Sequence, residues 1–102
     1  MAFTPVCKAS ALREGEMRTF HAKDTEVLLV WPEGAAPKAF QSTCPHLNFP
    51  LHLGRFNGNA VICGLHEWRF DATTGRGIRP RGCDLLGYPL RVEDDEIQAD
   101  VG

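Results

Sequence analysis

The chain has 102 residues, with 11 Lys and Arg against 13 Asp and Glu, a formal net charge of −2 and a pI near 6.0. That length builds one domain with a single modest core, and the charge balance excludes a nucleic-acid footprint. The first residues, MAFTPVCKASALREGEM, lack a basic stretch followed by an apolar one, and no apolar run approaches the roughly eighteen residues that cross a bilayer, so a cytoplasmic protein with no membrane segment is expected.

In chain order, Phe3 to Cys7 reads as an extended opener and Ser10 to Glu14 as a brief helical turn ending at Gly15. Met17 to His21 alternates apolar and polar residues, and Thr25 to Trp31 is rich in β-branched and aromatic ones, so the two predict a hairpin turning at Lys23-Asp24. His21 falls on the polar phase of its strand and reads as solvated. Pro32 to Pro37 is a loop by composition, and Lys38 to Ser42 a short strand. Asn57-Gly58-Asn59 turns into the apolar run Ala60 to Cys63, and Glu67 to Asp71 resumes extended structure. Thr74 to Gly77 reads as a turn and Arg79 to Cys83 as an irregular loop, after which Leu86 to Val92 and Glu96 to Ala99 predict a terminal hairpin around Asp94-Asp95. No internal repeat or long helix is evident. Many short strands in so short a chain predict an all-β fold, sandwich- or barrel-like, with little helix.

After the strand Lys38 to Ser42 comes the stretch CPHLNFPLHLGRFNGNAVICGLHEWRF, Cys44 to Phe70, with two Cys/His pairs, Cys44-Pro45-His46 and Cys63-Gly64-Leu65-His66. Each pair follows a strand in a tight loop, so two loops from neighbouring hairpins can close on a small inorganic core. Two Cys and two His suit either a tetrahedral zinc or a [2Fe-2S] cluster with Cys on one iron and His on the other. Structural zinc sites commonly leave two to four residues inside each pair, and the single residue between Cys44 and His46 is short for that. With two neutral imidazoles in place of two thiolates, an oxidised cluster is uncharged overall and reduction adds one negative charge. Such centres accordingly have potentials of roughly −150 to +300 mV, and their imidazole N–H groups allow proton-coupled electron uptake at high pH. His52 sits inside the intervening loop and reads as an exposed non-ligand; Cys7 and Cys83 lie outside the pairs and read as buried or half-buried thiols.

The motif C-P-H-x16-C-x2-H resembles that of Rieske proteins. The flanking stretches Ile62 to Phe70, Thr74 to Ile78 and Cys83 to Pro89 are similar to those of the ferredoxin component of toluene monooxygenases. The resemblance implies a single Rieske domain over residues 1–102: a sandwich-like base of short antiparallel strands and a cluster-binding part at about 43–83. It implies one [2Fe-2S] cluster held by Cys44 and Cys63 on the inner iron and His46 and His66 on the outer. It further implies an electron carrier, not an enzyme, acting as a monomer between an NADH-dependent reductase component and the diiron oxygenase (hydroxylase) component of an aromatic-hydrocarbon monooxygenase. Alternatives are the ferredoxin of a ring-hydroxylating dioxygenase, a zinc-stapled interaction module and a small Rieske subunit of a reductase.

Relative to the respiratory-complex version of the motif, the bridging cysteines of the two loops are replaced by Phe49 and Leu65, and its hydroxyl donors Ser and Tyr by Trp68 and Phe70. Fewer donors near the cluster sulfurs imply a potential toward the low end of the range. The loop at Arg79 to Gly82 corresponds to a third, Pro-containing loop over the cluster. Charge is unevenly spread. Residues 44 to 82 hold five basic and two acidic groups, residues 83 to 102 one and six. Arg55, Arg69, Arg76, Arg79 and Arg81 are therefore expected to supply a positive rim for acidic partners.

Overall fold

The computed structural model describes residues 3–45, 49–64, 67–79 and 81–101. The described residues form three antiparallel sheets. The outer sheet joins β1 (Thr4–Lys8), β11 (Glu96–Ala99) and β10 (Leu90–Glu93), with β11 in the middle. The middle sheet has the order β2 (Met17–Ala22), β3 (Thr25–Val30), β4 (Lys38–Gln41) and β9 (Gly87–Tyr88). The third runs β5 (Arg55–Phe56), β6 (Ala60–Ile62), β7 (Arg69–Asp71) and β8 (Gly77–Arg79), and lies wholly within the stretch that carries the two Cys/His pairs.

The uninterrupted apolar run of β3 follows from its place in the middle layer. Val27 and Leu29 pack with Ile97, Leu12 and Ala39 against the outer sheet, while Leu28 and Val30 pack with Phe40, Val61 and Phe70 against the third. A strand covered on both faces has no polar phase. The all-β expectation and the hairpin at Lys23-Asp24 both hold: β2 and β3 pair from Met17↔Val30 to Ala22↔Thr25, and Lys23 takes the left-handed φ of 57° that such a turn demands.

Three local expectations change. The helical turn comes earlier, as a 3-10 helix at Ala9–Ala11, because Leu12 is extended and buried among Val27, Leu29 and Ile97, where a continuing helix would turn it away. Leu86 to Val92 is divided: β9 pairs with β4 in the middle sheet and β10 with β11 in the outer one, separated at Pro89, which has no N–H to continue a ladder. The turn-and-loop segment after Thr74 contains β8, which pairs Gly77 with Phe70 and Arg79 with Arg69 across a bulge. No helix among the described residues is long and apolar enough to cross a membrane.

Candidate metal centre

The two loops are closed in the same way. The Cys44 N–H donates to the Phe49 carbonyl at 2.8 Å, and the Cys63 N–H donates to the Trp68 carbonyl at 2.8 Å. Each loop is thus pinched at its base, with its cysteine on the incoming arm. Below the first pinch, Thr43 bridges Pro50 and Leu51 N–H donates to Ser42 O at 2.9 Å. Below the second, Ile62 pairs with Arg69. The Gln41 side chain ties the first arm to the start of β9, accepting from Leu86 N–H at 2.7 Å and donating to Thr43 O at 2.7 Å.

Both cysteines are fully buried, Cys44 at 0% and Cys63 at 1% exposure, in the core between the middle and third sheets. No disulfide joins any of the four cysteines. His46, His66 and Leu65 lie outside the described residues, and among the described residues no group of three or more His, Cys, Asp or Glu is placed to hold a metal ion. The fit of an iron-sulfur group therefore rests on the cysteine half of the set. Two thiols at the bases of paired loops, both buried in one apolar core, are soft donors with water already excluded, which is what such a group requires. Phe70, 1% exposed, lies in that core, and Phe49 and Trp68 pack on it. The replaced positions at 49, 68 and 70 thus contribute apolar rings to the cysteine environment.

His52 is exposed in the 3-10 helix Leu51–Leu53, and His21 is exposed 3.8 Å from Glu26, as expected of non-ligands. Cys7 and Cys83 are half-buried. The acidic stretch at Glu93 to Glu96 is a turn, with Asp94 and Asp95 both left-handed and exposed.

Three of the arginines, Arg55, Arg69 and Arg79, share one row of the third sheet with the buried Ile62. Arg55 is opposite Ile62, Ile62 opposite Arg69, and Arg69 opposite Arg79, while the next row, Phe56, Val61, Phe70 and Gly77, faces the core. Arg55 pairs with Glu67 at 2.9 Å, whereas Arg69, Arg76, Arg79 and Arg81 are exposed and make no ion pair among the described residues. Arg76 and Arg81 also line a cleft of about 430 Å³ with Gly77, Gly82 and Asp84. Sequence reasoning missed Gly54. A Cβ added there would run into the Ile62 carbonyl oxygen and stand 2.9 Å from Gly64 N. The available signal was a lone glycine just before a strand, a pattern that marks close backbone approach.

A model of the Rieske [2Fe-2S] domain matches residues 2–87. The chain belongs to the Rieske family. This Rieske protein is 38% identical over 96 residues to the ferredoxin component of the alkene monooxygenase system of Xanthobacter autotrophicus, covering 93% of this chain and 78% of the relative. It is 31% identical over 102 residues to the ferredoxin component of biphenyl 2,3-dioxygenase of Rhodococcus jostii, covering 99% and 94%. Among solved structures, the ferredoxin of carbazole 1,9a-dioxygenase from Nocardioides aromaticivorans superposes with a TM-score of 0.85 at 26% identity, covering 97% of both chains. Membership settles the metal question left open by the Cys/His pairs in favour of one [2Fe-2S] cluster, which supplies one-electron transfer when bound. As a Rieske ferredoxin the chain carries electrons and does not turn over a substrate.

Proposed function

We propose that this Rieske ferredoxin carries one electron at a time from an NADH-dependent reductase component to the diiron hydroxylase of a toluene-type aromatic monooxygenase, as a cytoplasmic monomer. In this reading the whole chain acts as a single domain with its cluster-binding part at about 43–83, and Cys44, His46, Cys63 and His66 hold the cluster. The observation that carries the monooxygenase branch is the 38% identity to a monooxygenase ferredoxin component over 93% of the chain. The two buried cysteines, each at the base of a pinched loop, support the ligand assignment. Within the chain, the pinches fix the cysteines, and Phe70, Phe49 and Trp68 keep water from them. The arginine face offers the charge that orients acidic partners.

A second reading, the ferredoxin of a ring-hydroxylating dioxygenase, has its support in the 31% identity to the biphenyl dioxygenase component. Reconstitution decides between them. The purified protein is combined with reductase and NADH and with either a toluene monooxygenase hydroxylase or a biphenyl dioxygenase oxygenase. Product formation only with the hydroxylase is expected; product only with the dioxygenase would move the chain to the second branch. Iron analysis of Cys44→Ser and His66→Ala variants, each expected to lose the cluster, tests the ligands.

A further inference from the structure

The respiratory version of the motif braces its two loops with a disulfide, and this chain has Phe49 at one of the bridging places. The structure shows what Phe49 does there. Its carbonyl accepts the Cys44 N–H and closes its own loop. Its ring reaches across to the other loop: Phe49 Cε2 lies 3.4 Å from where a Cβ on Gly64 would stand. Leu53 O and Gly54 Cα, on the segment leaving the first loop, lie 3.4 and 3.5 Å from the same point. Gly54 in turn approaches Ile62 O and Gly64 N so closely that no side chain fits. The backbone on both sides of Cys63 is therefore gripped by elements of the first loop. At Gly54 such an approach is possible only because glycine removes the side chain; at Gly64 the Phe49 ring stands at ordinary contact distance from the Cβ position.

We infer that Phe49, seated on Gly64, is the brace between the two loops, doing by packing what a disulfide does by a bond. It is a positioning residue. It acts through the backbone of Cys44 and the packing beside Cys63, fixing the one cysteine relative to the other. A packed ring is held less strongly than a covalent bridge, so its removal is read in the rate of cluster release under conditions where the three sheets stay folded. The inference rests on Cys44, His46, Cys63 and His66 holding the cluster.

The test is the rate at which the holoprotein loses its visible absorbance to an iron chelator, well below the unfolding midpoint. Phe49→Ala is expected to bleach about tenfold faster than wild type, and Phe49→Tyr, which keeps the ring on Gly64, at close to the wild-type rate. Ile97→Ala, in the core on the far side of the middle sheet, serves as a control that lowers global stability without touching the loops. If Phe49→Ala bleaches at the wild-type rate, or if Ile97→Ala accelerates bleaching equally, the brace is refuted. Should Phe49→Ala not load a cluster, Phe49→Leu makes the same comparison, with a rate expected between wild type and that of a fully opened seam. Failure of the ligand assignment reads differently: Cys44→Ser would then retain full iron content.

Discussion

Replacing Phe70 by Tyr puts a single hydroxyl into the core that surrounds the cysteines. Phe70 is 1% exposed, faces inward on β7 opposite Val61, and shares its packed cluster with Cys44 and Cys63. A hydroxyl that donates to a cysteine sulfur gains strength when an electron is added nearby. Hydrogen bonds to charged groups are worth about 1.5–3 kcal/mol in total, and a change of about 1 kcal/mol on reduction corresponds to about 40 mV, since tenfold is 59 mV for one electron. The midpoint potential of Phe70→Tyr should therefore rise by about 40 mV, with stability nearly kept. If the hydroxyl finds no acceptor, it is a buried unsatisfied group costing about 1–3 kcal/mol, and the potential does not move. A redox titration followed by circular dichroism, paired with chemical denaturation, separates the outcomes. An unchanged potential in a fully loaded variant that keeps its stability, and so has made its hydrogen bond, would refute the view that missing hydroxyl donors keep this centre low.

Other perturbations are expected to act more locally. Arg69→Gln with Arg79→Gln removes two like charges that sit opposite one another, so stability should stay within about 0.5 kcal/mol, while electron delivery to the oxygenase slows at low salt and the difference fades at high salt. Equal rates at low salt would remove the docking role. Gly75→Ala adds a Cβ at a φ of 79°, 2.8 Å from Phe40 Cε1 and 3.0 Å from Leu85 O; a loss of about 2 kcal/mol, or about 10 °C in melting temperature, should follow. Burial pushes the Cys7 thiol above its ordinary value of 9.0, with Arg18 opposing in part. Because the folded value lies above the unfolded one, the stability the protonated thiol contributes is whole below about pH 9 and is lost as pH rises from there through the folded pKa. Denaturation at pH 8 and pH 10 should show a smaller alkaline loss in Cys7→Ala than in wild type.

Much of this molecule was legible in the sequence where one physical cause dominated. The β2–β3 hairpin was set by alternation and a turn, and the two loops by Cys and His types at a spacing that few sites use. The elements that escaped are those whose reason lies in a distant partner. β5 and β8 are two and three residues long, too short to show an alternation until β6 and β7 lie beside them. The β-branched run of β3 marked it as a strand, but not that two different sheets bury it. Pro89 was visible, yet only the sheet order tells that it hands the chain from one sheet to another. The arginines were countable as a charge excess; the alignment of Arg55, Arg69 and Arg79 in one row depends on register, which a bulge at Ile78 shifts by one residue.

The join at Gln41 and Leu86 has a consequence for how the chain is assembled. Gln41 N–H donates to Leu86 O at 2.8 Å and Leu86 N–H returns a bond to the Gln41 side chain at 2.7 Å, so everything between them leaves and re-enters the middle sheet through one narrow neck. Closing a longer or shorter excursion at that neck changes the entropy only with the logarithm of its length. The metal-bearing lobe can therefore change in length at little entropic cost while β3, β4 and β9 keep their pairing, and a grafted lobe needs to match the spacing of its two ends and to cover the apolar face of Leu28, Val30 and Phe40.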